Sequence, residues 1–383
     1  MRPILVSEPD RTRLEALRAV VSNWGGDFQL RDWSNPAEFR SQAPSFLDRA
    51  ALVVLAPELS AWLADFEPVC PVVCEESAEL VRGGWPVVTE PSLPADNEAA
   101  VQRLRRCLTG LAIGDALGEK LSYWAREASE RLSRPDVAAG GLYHTDDTEM
   151  ALALSSVLRA HGRIEQDALA ARFVRRYQMD PDRGYGKMTR IQLRELSEGA
   201  QWRGLAYSVF GGQGSMGNGS AMRVAPLGAY FAEDLERCVQ EARASSEVTH
   251  THPEAIAGSI AVAVAAALAC RGAQPLLDEV IRHVPPSQVL ERIQQAREFQ
   301  GSHLQAARLI GNGFQVSAQD TVPLCLWIAA NCSDYVQAIG QAIEADGDCD
   351  TCAAITGAIV ALRAPETVPP AWIRQLEPVL RAF

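Results

Sequence analysis

Oxygen-bearing side chains crowd into two short runs of this sequence. Residues 144–148 read HTDDT, directly ahead of a helical pattern, so Thr145, Asp146 and Asp147 offer three hard oxygen donors in a row. Thr and Asp are preferred helix caps, but a cap needs only one of them. Two adjacent carboxylates repel each other unless a cation lies between them. Residues 346–351 read DGDCDT, and Asp348, Asp350 and Thr351 form a second such cluster. An EF-hand is excluded, because its twelfth loop position would fall in the apolar run AITGAIVAL. Cys349 and Cys352 make a lone C-x-x-C without a second pair. Each reads as a small buried hydrophobe rather than a zinc ligand.

Two glycine-bearing segments and a histidine pair stand beside these runs. Residues 110–119 (GLAIGDALGE) place Asp115 between Gly114 and Gly118, which suits tight helix packing with Asp115 as a buried cap. Residues 210–226 (FGGQGSMGNGSAMRVAP) contain a literal G-x-G-x-x-G at Gly212, Gly214 and Gly217. A dinucleotide fold needs strands around that loop, and the chain here stays helical, so the match is rejected. A glycine-rich loop that opens a helix can still cradle a diphosphate with its backbone amides. All four segments are expected to begin or end a helix. His250 and His252 (THTHPE) precede an apolar helix, where helix-start hydrogen bonding and ligand contact are both open readings.

Taken in order, GLAIGDALG, HTDDTEMALAL, GNGSAMRVAPLG, THTHPEAIAG and GDCDTCAAITGA resemble the ADP-ribosylglycohydrolase family over residues 103–364. The resemblance implies an orthogonal all-α enzyme with two divalent cations, Mg2+ or Mn2+. It assigns Thr145, Asp146 and Asp147, with Asp348, Asp350 and Thr351, as ligands, and an all-oxygen donor set suits those metals. It places ADP-ribose against Gly217, Asn218, Gly219, Ser220 and Met222, with Thr249 and His250 beside the ribose or phosphate. Many relatives carry a Glu four residues after the last Gly of GDALG; here that position is Ser122, and Glu119 directly follows Gly118. Glu119 taking over the acidic role, or Asp146 or Asp147 moving the proton, are the alternatives.

The elements that must hold these residues are helices. From residue 98 onward β signals nearly vanish, and helices are expected at 149–161, 165–176, 235–248, 253–271, 289–299, 303–310, 334–344 and 352–362. Residues 255–270 (AIAGSIAVAVAAALAC) are uncharged but shorter than the roughly 20 residues that span a bilayer, so a buried central helix is expected. The first part differs. Short β-rich runs at 3–7, 28–32, 50–55, 70–75 and 86–89, with a helical pattern at 8–23, suggest a parallel sheet. The expected fold class is therefore mainly α: an all-α catalytic domain at 96–383, preceded by a small α/β domain at 1–95 of unread role. Residues 90–97 (EPSLPADN) serve as linker.

Composition bounds the partners. The 383 residues carry 36 basic and 48 acidic side chains, a net charge of −12. Such a surface repels phosphates and anionic lipids, so no membrane partner is expected, and nucleic acid only as a modified substrate. No secretory signal is visible, and nine cysteines in no framework suggest reduced thiols in a cytoplasm; a monomer is expected. The resulting expectation is a metal-dependent hydrolase that removes ADP-ribose from a modified protein, ADP-ribosyl-arginine favoured. A noncatalytic ADP-ribose-binding protein, or a hydrolase of another ribosyl or phosphate compound, are the rival readings.

Overall fold

The computed structural model describes residues 98–377, Leu380 and four strands nearer the N-terminus. The chain divides into two compact units, Met1–Leu93 and Pro94–Phe383. In the first, β1 (Arg2–Ser7), β2 (Phe28–Trp33), β3 (Leu52–Leu55) and β4 (Val72–Cys74) form one parallel sheet in the order β2-β1-β3-β4. The register aligns Ile4 with Leu30 on one side and with Leu52 on the other. The expected helix at 8–23 and the strand at 86–89 lie outside the described residues.

The second unit is helical, and seven helices position the site. They are α1 (Glu98–Leu121), α2 (Asp146–His161), α3 (Gln166–Met179), α4 (Leu235–Glu247), α5 (Pro253–Cys270), α6 (Ala318–Asn331) and α7 (Cys349–Arg363). Helix α5 is buried on nearly every face, as its unbroken Ala, Val and Ile content requires. It is the helix among the described residues that is long and apolar enough to cross a membrane, and 89% of it is buried inside the protein.

The closest packing joins α1 to α7. Gly110, Gly114 and Gly118 lie four residues apart and so form one stripe on α1. A Cβ at Gly114 would run into the carbonyl oxygen of Ala353, and one at Gly118 would lie 2.5 Å from the Asp350 Cα. From the other side, a Cβ at Gly357 would lie 2.7 Å from the Gly110 carbonyl oxygen. Two backbones therefore meet with no side chain between them. That contact draws the start of α7, which carries Asp350 and Thr351, against the end of α1 that carries Asp115.

Three sequence expectations change here. The segment 110–119 neither begins nor ends a helix, because it lies inside α1. Helix α2 starts at Asp146 rather than 149, because Thr145 caps it and the carboxylates of Asp146, Asp147 and Glu149 favour the positive end of the helix dipole. Helix α7 starts at Cys349 rather than 352, so Asp350 and Thr351 belong to its first turn.

Candidate active site

Asp115 is a cap, but for another helix. Its carboxylate accepts from the Thr145 amide at 3.0 and 3.1 Å and the Thr148 amide at 3.1 Å. It also accepts from the Thr145 hydroxyl at 2.8 Å and the Thr148 hydroxyl at 2.5 Å. The orphan amides of α2 are thus satisfied by a side chain 30 residues upstream, and Thr145, Asp146 and Asp147 are held in one orientation. Thr145 in turn places its hydroxyl 3.3 Å from Asp147 Oδ2.

Five carboxylates face one another around this point: Asp115, Asp146, Asp147, Asp348 and Asp350. The two acidic runs, separated by roughly 200 residues in sequence, are neighbours in space. Burial raises the Asp115 carboxyl to about 6, against a lowering by His144, and the Asp350 charge adds to the rise. Burial first, and then Asp350, pushes Asp146 and Asp147 well above the usual carboxylate range. Asp348 rises to about 7 through burial and through Asp350, against a hydrogen bond from Asn218. One atom has nothing to meet: Asp147 Oδ1 is buried and has no hydrogen-bond partner. A buried acceptor left unmatched in a field of like charge favours a proton or a cation beside it. The donor set is carboxylate and hydroxyl oxygen throughout, which suits a hard ion. Among the described residues, no group of three or more His, Cys, Asp or Glu side chains stands in positions that could hold a metal ion by themselves.

The glycine-rich segment is tied to the second acidic run. Asn218 donates to Asp348 Oδ2 at 2.6 Å and to Thr321 Oγ1 at 3.1 Å. Its amide bonds the Val316 carbonyl, and the Ala318 amide bonds the Met216 carbonyl. Gly217 and Gly219 face His250: a Cβ at Gly219 would lie 3.0 Å from its Nε2. Ser220 and Met222 are buried beneath the turn. The Ser220 hydroxyl donates to the Ala255 carbonyl at 3.3 Å and accepts from Ser246. His252 caps α5, accepting from the Glu254 amide at 3.1 Å. Glu119 is exposed beside Asp350; partial burial and the Asp350 charge raise its pKa. Ser122 donates its hydroxyl to the Glu119 carbonyl. Cys349 and Cys352 are buried free thiols.

A model of the ADP-ribosylglycohydrolase family matches residues 96–382. The chain belongs to this family. Human ADP-ribosylhydrolase ARH3 is 29% identical, over 73% of this chain and 90% of its own. ADP-ribosylarginine hydrolase Tri1 of Pseudomonas putida is 28% identical, over 73% of this chain and 75% of its own. An uncharacterized protein of Archaeoglobus fulgidus is 31% identical, over 72% and 92%. A solved structure titled ADP-ribosylglycohydrolase-related protein complex superposes with a TM-score of 0.52 at 23% identity, covering 74% of this chain and 95% of its own; this likeness concerns the fold alone. The chain is accordingly a glycosidic hydrolase, of a family that acts on ADP-ribose linkages.

Beside the first acidic run lie residues whose contacts spacing does not reveal. His144 is buried with a carboxylate at each ring nitrogen: Glu149 Oε1 lies 2.8 Å from Nε2, and Glu377 Oε1 lies 2.9 Å from Nδ1. The second contact is close but off the hydrogen-bonding direction. Arg176 pairs with Glu149 at 2.5 Å, and Arg183 pairs with Glu377 at 2.6 and 2.7 Å. Arg183 also bonds the His144 carbonyl, and Glu377 bonds the His144 amide. The residue before Thr145 is thereby clamped by an ionic network that reaches the far end of the chain. Of these residues only His144 sits in the run 144–148, with Glu149 directly after it. Burial alone would lower the His144 pKa, but the hydrogen bond with Glu149 and the charges of Glu149 and Glu377 push it up to about 9. Burial would raise Glu377, and its bonds to His144 and Arg183 bring it down to about 2.

The signs set a pH window. A histidine raised from 6.5 to about 9 contributes stability that is fully present below 6.5 and lost as pH rises through 9. A glutamate lowered from 4.5 to about 2 contributes stability present above 4.5 and lost as pH falls through 2. Glu377→Gln is therefore expected to lower the melting temperature most between about pH 5 and pH 7. The deficit should shrink toward about pH 10, where His144 loses its proton in both proteins. Thermal denaturation of the two proteins across that range checks it. A deficit that is constant with pH would show that Glu377 acts by packing alone.

Proposed function

We propose that the protein is a two-metal hydrolase that cleaves ADP-ribose from modified arginine side chains. The observation that carries the reading is the buried, unpartnered Asp147 Oδ1 amid four other carboxylates that raise its pKa. Thr145, Asp146 and Asp147 would hold the ions from the start of α2, with Asp348, Asp350 and Thr351 from the start of α7. Mg2+ or Mn2+ fits these donors, the hydroxyls and solvent completing a shell that no protein cage closes. When bound, such ions supply positive charge for the ribose oxygens and counter the acidic field that would repel a diphosphate.

The chain's own residues then divide the work. The turn at Gly217, Asn218 and Gly219 lines the diphosphate, and His250 flanks it. Water attacks C1 of the distal ribose, and Asp146 or Asp147 accepts its proton. The bond from C1 to the arginine nitrogen breaks, and a carboxyl with a raised pKa returns a proton to the leaving group. Glu119 suits that last step, because it stands at the exposed rim beside Asp350 and takes the acidic role left open at Ser122. The first 95 residues are read as a small α/β domain that recruits the target and lies outside the chemistry.

Release assays across arginine-, serine- and nucleic-acid-linked ADP-ribose, with Mg2+ and with EDTA, test the reading. Arginine-linked substrate should turn over fastest, and EDTA should abolish release. ADP-ribose binding without turnover of any linkage would point instead to a noncatalytic reader, the alternative that the Ser122 departure favours. A fragment spanning residues 95–383 should keep kcat on a small ADP-ribosyl substrate within about twofold while KM for a modified protein rises. A folded but inactive fragment would mean that the N-terminal unit supplies part of the active site.

A further inference from the structure

Behind the glycine-rich turn, Arg223 is fully buried and pairs with no carboxylate among the described residues. Its guanidinium lies 4.4 Å from the centre of the Phe173 ring on α3. Nη1 donates to the Gly219 carbonyl at 3.0 Å, and Nη2 donates to the Ser245 carbonyl at 3.0 Å and the Thr249 hydroxyl at 2.9 Å. Nε has no partner. A buried cation without a paired anion opposes folding, so its retention asks for a role.

The hydroxyl of Thr249 shows one. It is fully buried and lies 2.7 Å from His250 Nδ1. Guanidinium nitrogens only donate, so Thr249 Oγ1 is an acceptor toward Arg223. Its single proton has one acceptor in reach among the described residues, His250 Nδ1. Were Nδ1 itself protonated, the hydroxyl proton would be buried with nothing to accept it, which is the unfavourable way to lose a hydrogen bond. Nδ1 therefore accepts, and the imidazole proton sits on Nε2. That nitrogen has no hydrogen-bond partner among the described residues and faces the turn, 3.3 Å from where a Cβ at Gly217 would stand and 3.0 Å from one at Gly219. Burial, and then the Arg223 charge, holds the His250 pKa down to about 3, so the ring is neutral.

We propose that Arg223 is a positioning residue: through the Thr249 hydroxyl it locks His250 as the Nε2–H tautomer, so that a neutral donor, and never an acceptor, faces the ligand side of the Gly217–Gly219 turn. The ligand atom selected there is an acceptor oxygen, of a phosphate or a ribose, rather than an amine or amide N–H. Glycine at 217 and 219 follows from the same geometry, since a side chain at either place would meet the ring. The ligand half of this proposal rests on the ADP-ribose reading above; the tautomer half does not.

The test uses the full-length protein labelled with 15N-histidine, in Mg2+. His250 is assigned by comparison with His250→Gln. Long-range 1H–15N spectra should show His250 with a bare Nδ1 and a protonated Nε2. Thr249→Val keeps the shape and removes the hydroxyl; it should give a mixed or reversed tautomer and weaken ADP-ribose binding, read by calorimetry, by about tenfold or more. Thr249→Ser should restore both. Arg223→Met should mix the tautomers as well, and if it fails to fold, the Val and Ser pair decides. A protonated Nδ1 in the wild type, or an unchanged tautomer in Thr249→Val, overturns the lock. The expected tautomers with no ADP-ribose binding to the wild type would support the lock and overturn the ligand reading.

Discussion

Asp350→Asn should lower kcat/KM by about a thousandfold while leaving the metal-free protein as stable as before or more so. A thousandfold is about 4 kcal/mol of transition-state stabilisation, the scale of losing a charged ligand at a catalytic ion. The stability half follows from the neighbours. Asp350 raises the carboxyls of Asp115, Asp146, Asp147 and Asp348, in each case after burial itself. Raised carboxylates favour folding at low pH, and that contribution is lost as pH rises through their folded values. Removing the Asp350 charge lessens the loss, so the melting temperature in EDTA should exceed that of the wild type, by a margin that grows from about pH 5 to pH 8. The local bond from the Thr351 amide to Asp350 Oδ1, at 2.9 Å, can be kept by an asparagine oxygen. Calorimetry in EDTA and turnover in limiting Mg2+ check the two halves together. Near-native turnover, or a lowered melting temperature in EDTA, would make Asp350 an ordinary helix-start residue.

Gly114→Val should destabilise the helical unit by about 3 kcal/mol or more and abolish activity without touching a proposed ligand. Overpacking a tight contact usually costs about 1–3 kcal/mol, and the upper end applies where the obstacle is backbone. Here the new side chain would meet the Ala353 carbonyl, one turn along α7 from Cys349 and Asp350. Helices α1 and α7 must then separate or slide. Either movement parts Asp115 and the start of α2 from Asp350. Gly204→Ala, in the helix Trp202–Gly212, provides the control, because a Cβ there meets nothing within 4 Å. Denaturant melts and turnover of the two variants distinguish the outcomes. Native stability in the Gly114→Val variant would mean that the two helices do not depend on their backbone contact.

The two predictions mark different depths of legibility. Thr145, Asp146 and Asp147, and Asp348, Asp350 and Thr351, were readable because too many oxygen donors stand together for capping alone. The glycine stripe was readable as close packing, though not what it packs against. Asp115 was readable only as a buried cap; that it caps α2 rather than its own helix depends on a contact 30 residues away. Arg176, Arg183 and Glu377 left no spacing signal, since ion pairs between distant segments have no sequence period. Arg223 looked like part of a glycine-rich motif, and its bond to Thr249, which leads on to His250, joins residues 26 positions apart.

By itself, the sequence determined the local physics. It set the helical periodicity after residue 98, the all-apolar helix that must be buried, and the clusters of hard oxygen that repel one another without a cation. These are properties of neighbours along the chain, and spacing reports them directly. Tertiary structure alone decided which clusters meet, which helix Asp115 caps, what clamps His144 and which ring nitrogen of His250 faces the glycine turn. Those outcomes depend on packing between α1 and α7 and on hydrogen bonds across the fold, where the energy belongs to pairs of residues that no local pattern relates.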